Sequence, residues 1–156
     1  MLKADVQLIF LSMLHCKIHQ HDTNKEWICF IHGAGGSSSV WFKQVKFFKQ
    51  HFNLILIDLR GHGKSVEIQY EENPNVYTIQ LIIDDILEVL AAQKIEKAHF
   101  FGVSLGTILI KELAYQFPDK VGSMVLGGAV CKLDVKARFL LVVASFFYRI
   151  IPYMVI

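Results

Sequence analysis

Four short apolar runs, each followed by a turn or a helix-like stretch, constrain this chain more than anything else in it. They are Trp27 to Ile31, Leu54 to Ile57, Lys97 to Phe101 and Val121 to Leu126. Each reads as a strand covered on both faces, which is the habit of parallel sheets. Between them apolar residues recur at helical spacing: Trp41, Val45 and Phe48, then Ile79, Ile82, Ile83, Ile86, Leu87 and Leu90, then Ile108, Leu109, Leu113 and Phe117. Any of Ser37, Ser38 and Ser39 can cap the first helix, which runs from near Val40 to Gln50 and covers one sheet face; Thr78 caps the second. Asp84, Asp85 and Glu88 are assigned to the outer side of that second helix, and Pro118 halts the third. The alternation predicts an α/β domain, a mostly parallel sheet with flanking helices.

Composition narrows the class. A chain of 156 residues holds one domain, yet its 53% hydrophobic and 19% charged content is more apolar than ordinary. Such a chain either meets a membrane or lacks the parts that cover its core. A net charge of +2 with no basic stripe points away from nucleic acid. Cys16, Cys29 and Cys131 are odd in number and lack metal spacing, so they read as reduced thiols of a cytoplasmic protein. The run from Leu8 to Leu14 lacks the flanks of a signal peptide and reads as an early strand or hairpin. His15, His19 and His21 fall in a polar segment before the first firm strand. They read as surface histidines, because no cysteine or carboxylate completes a ligand set. No metal and no cofactor is expected.

The chemistry concentrates at Gly102-Val103-Ser104-Leu105-Gly106, placed after one strand and before one helix. A serine hydroxyl is a poor nucleophile unless the backbone presents it, and a sharp strand-to-helix turn does so. Glycine is needed on both sides because a side chain at 102 or 106 would collide with neighbouring backbone. Two further motifs stand in order before it: His32-Gly33-Ala34-Gly35-Gly36 and Asp58-Leu59-Arg60-Gly61-His62-Gly63-Lys64-Ser65.

Together, from about Trp27 to Gly128, the three motifs resemble the N-terminal half of the α/β-hydrolase family. The resemblance implies a serine hydrolase that acts on a small ester, thioester or lactone through an acyl group on Ser104. It implies an oxyanion hole from the backbone N–H groups of Ala34 and Leu105. His32, Gly33, Gly35, Gly36, Gly102 and Gly106 would shape the supporting loops, with His32 and His62 structural rather than basic.

In this fold the order is Ser, then acid, then His, and all seven histidines precede Ser104. Glu112 and Asp119 lie where neither should reach an imidazole beside Ser104, and Asp134 is the remaining acid candidate. The resemblance therefore implies an N-terminal portion, truncated before the last strands and self-associating for that reason. Residues 1–26 form a strand or hairpin region, 27–131 the core with the serine turn, and 132–156 the apolar start of a lid. Membrane contact through 139–156 is disfavoured by Arg149 and Pro152. The competing reading is a non-catalytic relative or a receptor-like binding domain without the triad histidine.

Overall fold

The computed structural model describes residues 14–21, 23, 26–65 and 77–129. Five strands form one sheet in the order β1-β3-β2-β4-β5. They are β1 (Cys16–His19), β2 (Trp27–Ile31), β3 (Asn53–Ile57), β4 (Ala98–Val103) and β5 (Val121–Gly127). β1 runs antiparallel to β3; the other pairings are parallel. Helix α1 (Phe42–Phe48) links β2 to β3, α2 (Ile79–Ala92) precedes β4, and α3 (Leu105–Gln116) links β4 to β5.

The period-2 geometry of strands divides the apolar runs between two cores. Ile28, Phe30, Leu54 and Leu56 point to one face, where Trp41, Val45 and Phe48 cover them. Cys29, Ile31, Ile55, Ile57 and Phe100 point to the other, against Ile83, Ile86 and Val89 of α2 and Leu109, Ile110 and Leu113 of α3. Full burial of one such side chain is worth about 1.5–3 kcal/mol. The strands alternate their faces while remaining apolar throughout, so parallel pairing with helices on both sides is the arrangement that leaves neither face wet.

Several expectations need correction. The first helix is shorter than Val40 to Gln50: a 3₁₀ turn at Ser38–Trp41, capped by the Ser37 side chain, precedes α1. Thr78 accepts from the Leu81 N–H at 3.1 Å and caps α2 as read. Asp85 is not on the outer side of α2; it is 6% exposed and receives two hydrogen bonds from Arg60. His15, His19 and His21 precede the strand at Trp27–Ile31 as read, but they flank or end an earlier strand, β1, and all three are half-buried rather than exposed. β5 is not covered on both faces, since four of its seven residues are exposed. Most of the run Leu8 to Leu14, the loop at 66–75, Cys131, Asp134 and the tail 132–156 lie outside the described residues. No helix among the described residues is long and apolar enough to cross a membrane.

Candidate active site

Ser104 stands between the last residue of β4 and the first of α3 with φ 49° and ψ −114°. Positive φ at a non-glycine residue is held only where the surroundings over-determine it. The Ser104 N–H donates to the Gly127 carbonyl at 3.1 Å, and the Ser104 carbonyl accepts from the N–H (2.9 Å) and the hydroxyl (2.7 Å) of Thr107. Space fixes the flanks. A Cβ at Gly106 would strike the Ile31 carbonyl oxygen, and one at Gly102 would strike the Ile110 side chain and the Gly106 backbone. The serine side chain is left exposed at the end of the sheet.

The loop after β2 comes to the same place. A Cβ on Gly33 would lie 3.1 Å from Ser104 Cβ and 3.7 Å from its hydroxyl oxygen. Gly36 N–H donates to the Gly33 carbonyl at 3.1 Å and Gly35 has φ +73°, a type II turn with Ala34 at its first central position. The Ala34 N–H stays outside that hydrogen bond. Among the described residues neither it nor the Leu105 N–H is taken by a protein acceptor.

His32 is engaged at both ring nitrogens. Nε2 accepts from the Leu59 N–H at 3.0 Å, so the ring hydrogen is on Nδ1 and is donated to the Gly33 carbonyl at 2.7 Å. Burial pushes its pKa below the ordinary value, as does nearby His62, against the opposing pull of the Gly33 carbonyl and Asp58. A neutral imidazole with no free nitrogen is a brace between two loops and has nothing with which to take a proton. His62 likewise donates its Nδ1 hydrogen to the Arg60 carbonyl at 2.9 Å.

Sequence reasoning missed the centre of the second loop. The Asp58 carboxylate accepts from the Ser38 N–H (2.5 Å), the Lys64 N–H (3.0 Å) and His15 Nδ1 (3.0 Å). Burial raises its pKa, but these partners outweigh it and hold the carboxyl below the usual range. The signal was present: an aspartate closing an apolar strand and opening a glycine turn has backbone donors within reach. Beside it Arg60 makes a two-pronged bond to Asp85, Nε to Oδ2 at 2.8 Å and Nη2 to Oδ1 at 2.6 Å. Cys16 and Cys29 are free, and burial pushes both thiols up.

All seven histidines lie among the described residues, and none is hydrogen-bonded to the Ser104 hydroxyl. No group of three or more His, Cys, Asp or Glu among those residues could hold a metal ion.

A family model of the alpha/beta hydrolase fold matches residues 26–148. The chain belongs to the alpha/beta hydrolase fold family. RutD of Agrobacterium fabrum, provisionally named a carbamate hydrolase, is 32% identical over 122 residues, 78% of this chain and 45% of its own length. The 3-oxoadipate enol-lactonase 1 of Acinetobacter baylyi is 32% identical over 110 residues, 70% of this chain and 39% of its own. Among solved alpha/beta hydrolase structures, a Pseudomonas aeruginosa hydrolase superposes with TM-score 0.70 at 26% identity, over 85% of this chain and 48% of that one. The chain thus spans less than half the length of the curated relatives it matches.

Proposed function

We propose that this chain supplies the nucleophile and oxyanion half of a serine hydrolase site for a small ester, thioester or lactone. The observation that carries the reading is Ser104 itself: a positive-φ serine between two obligatory glycines, with Gly33 against its side chain. Ser104 Oγ would add to the acyl carbon, and the N–H groups of Ala34 and Leu105 would meet the charge that develops on the carbonyl oxygen. One such donor is typically worth about 3 kcal/mol of transition-state stabilisation. The Leu105 N–H opens α3, where the helix dipole also favours an anion. Relatives named for lactone and carbamate hydrolysis keep the substrate in the class of small acyl compounds.

Among the described residues no histidine is hydrogen-bonded to Ser104 to serve as general base, and a second reading, a non-catalytic binding domain, draws on that observation. Added imidazole separates the two. With a presented serine and free oxyanion donors, dissolved imidazole is expected to speed hydrolysis of an activated ester by the chain well beyond its effect on Ser104→Ala. Without imidazole, turnover is expected to stay at or below about 10³ to 10⁴ over water, the residue left by triad knock-outs. Equal imidazole acceleration in the wild type and in Ser104→Ala would sink the hydrolase reading and leave the binding domain.

A further inference from the structure

The sheet carries a second serine whose surroundings differ in kind from those of Ser104. Ser123 on β5 faces His99 on β4, with 2.8 Å between its hydroxyl and His99 Nδ1. The opposite ring nitrogen, Nε2, stands 3.9 Å from Glu26 Oε1. For a neutral imidazole one arrangement of protons suits both neighbours. Nε2 carries its hydrogen toward the carboxylate, Nδ1 keeps its lone pair, and the Ser123 O–H donates to it. Gly122 makes room for the ring, since a Cβ there would come within 3.0 Å of His99 Cε1 and Nδ1.

Beside these polar groups opens a cavity of about 320 Å³, walled by Ile28, Phe48, Phe52, Phe101 and Val125. That volume is at the small end of ligand pockets and suits a short apolar acyl group or one ring. The place is remote from the Ser104 turn. His99 is the second residue of β4 and Ser104 follows its last, so they lie roughly 16 Å apart along the strand.

We propose that Ser123, with His99 as its base and the Glu26 carboxylate at ion-pair range of the imidazolium that forms, is a second nucleophilic site for aryl esters of short apolar acids. A hydroxyl within hydrogen-bond reach of a base is the first requirement of an activated nucleophile, and a carboxylate near that base favours its protonated form. The Ser123 oxygen adds to the ester carbon as its proton passes to His99 Nδ1. The carbonyl electron pair moves to oxygen and returns as the bond to the aryl oxygen breaks. The phenolate leaves as an anion, the acyl group stays on Ser123, and His99 releases its proton to water. A phenolate needs no proton in order to leave, and this selects aryl esters over alkyl ones.

Trypsin separates the two serines. Ser104 falls in the peptide 98–111, and Ser123 is the only serine of 121–132. The full chain carrying Ser104→Ala, so that the Ser104 hydroxyl contributes nothing, is incubated with 4-nitrophenyl butyrate, quenched and digested. Fragment ions distinguish Ser123 from Cys131. The expected result is a butyryl group on Ser123, added about a hundredfold faster than in the same chain with His99→Gln, the typical scale of general-base help. Labelling within twofold in His99→Gln, or labels confined to other residues, overturns the proposal. Should His99→Gln fail to fold, Ser123→Ala at its exposed edge position decides. Loss of the initial nitrophenolate burst supports the site, and an unchanged burst overturns it. Imidazole rescue at Ser104 can succeed or fail independently of either result.

Discussion

Ser104 holds a backbone conformation that L-residues avoid, at a cost of about 1–3 kcal/mol. Glycine bears no such cost, although its freer unfolded chain returns about 0.4–1 kcal/mol. Ser104→Gly is therefore expected to be more stable than Ser104→Ala by about 1 kcal/mol, read from urea midpoints at unchanged slope. Equal midpoints would show the turn to be unstrained. The flanks of this turn were legible because glycine at 102 and 106 leaves no other reason for its placement. The brace at His32 was legible only as a residue in a loop. Its partners, the Leu59 N–H and the Gly33 carbonyl, are backbone groups and leave no mark on side-chain identity.

Among the elements, the strands were easy to read and the helix faces less so. Residues Leu54 to Ile57 are fully or almost fully buried, as an apolar run after a helix implies. Asp85 was misplaced because its charge outweighed its position. It lies three residues after Ile82 and four before Val89, both buried, so spacing alone puts it on the core side of α2. The partner was not legible, because only the structure shows that Arg60 is the buried cation of the turn after β3. This pair ties the β3 turn to α2. Removing one member leaves a buried charge without its mate, so Asp85→Ala is expected to lose about 3–5 kcal/mol. The double replacement Arg60→Met with Asp85→Leu should lose markedly less. Denaturant titration of the three variants checks this, and a single-mutant loss below about 1 kcal/mol would contradict the burial.

At the scale of the whole molecule β1 and β5 are the outer strands of the described sheet. Each has a single described neighbour, β3 for β1 and β4 for β5, and β5 exposes Met124 at 43% and Val125 at 51%. An apolar strand with a free edge is a template for pairing with another chain. We expect the 156-residue chain to sediment above monomer mass at micromolar concentration, and Val125→Lys to shift it toward monomer. A wild-type monomer at that concentration would show the edge to be covered. The edge position of β5 was expected from the resemblance to a truncated sheet and not from its residues, because a strand of this composition looks the same whether or not a second neighbour is supplied.

The His32 imidazole joins the Leu59 N–H on one side to the Gly33 carbonyl on the other, and a side chain at Gly33 would press on Ser104. A change in the 58–65 turn can thus tilt the ring, move the Gly33 carbonyl and alter the room around the serine without any atom of that turn meeting it. Substitutions there should be felt as altered reactivity before they are felt as altered fold, which makes this turn a lever on the chemistry.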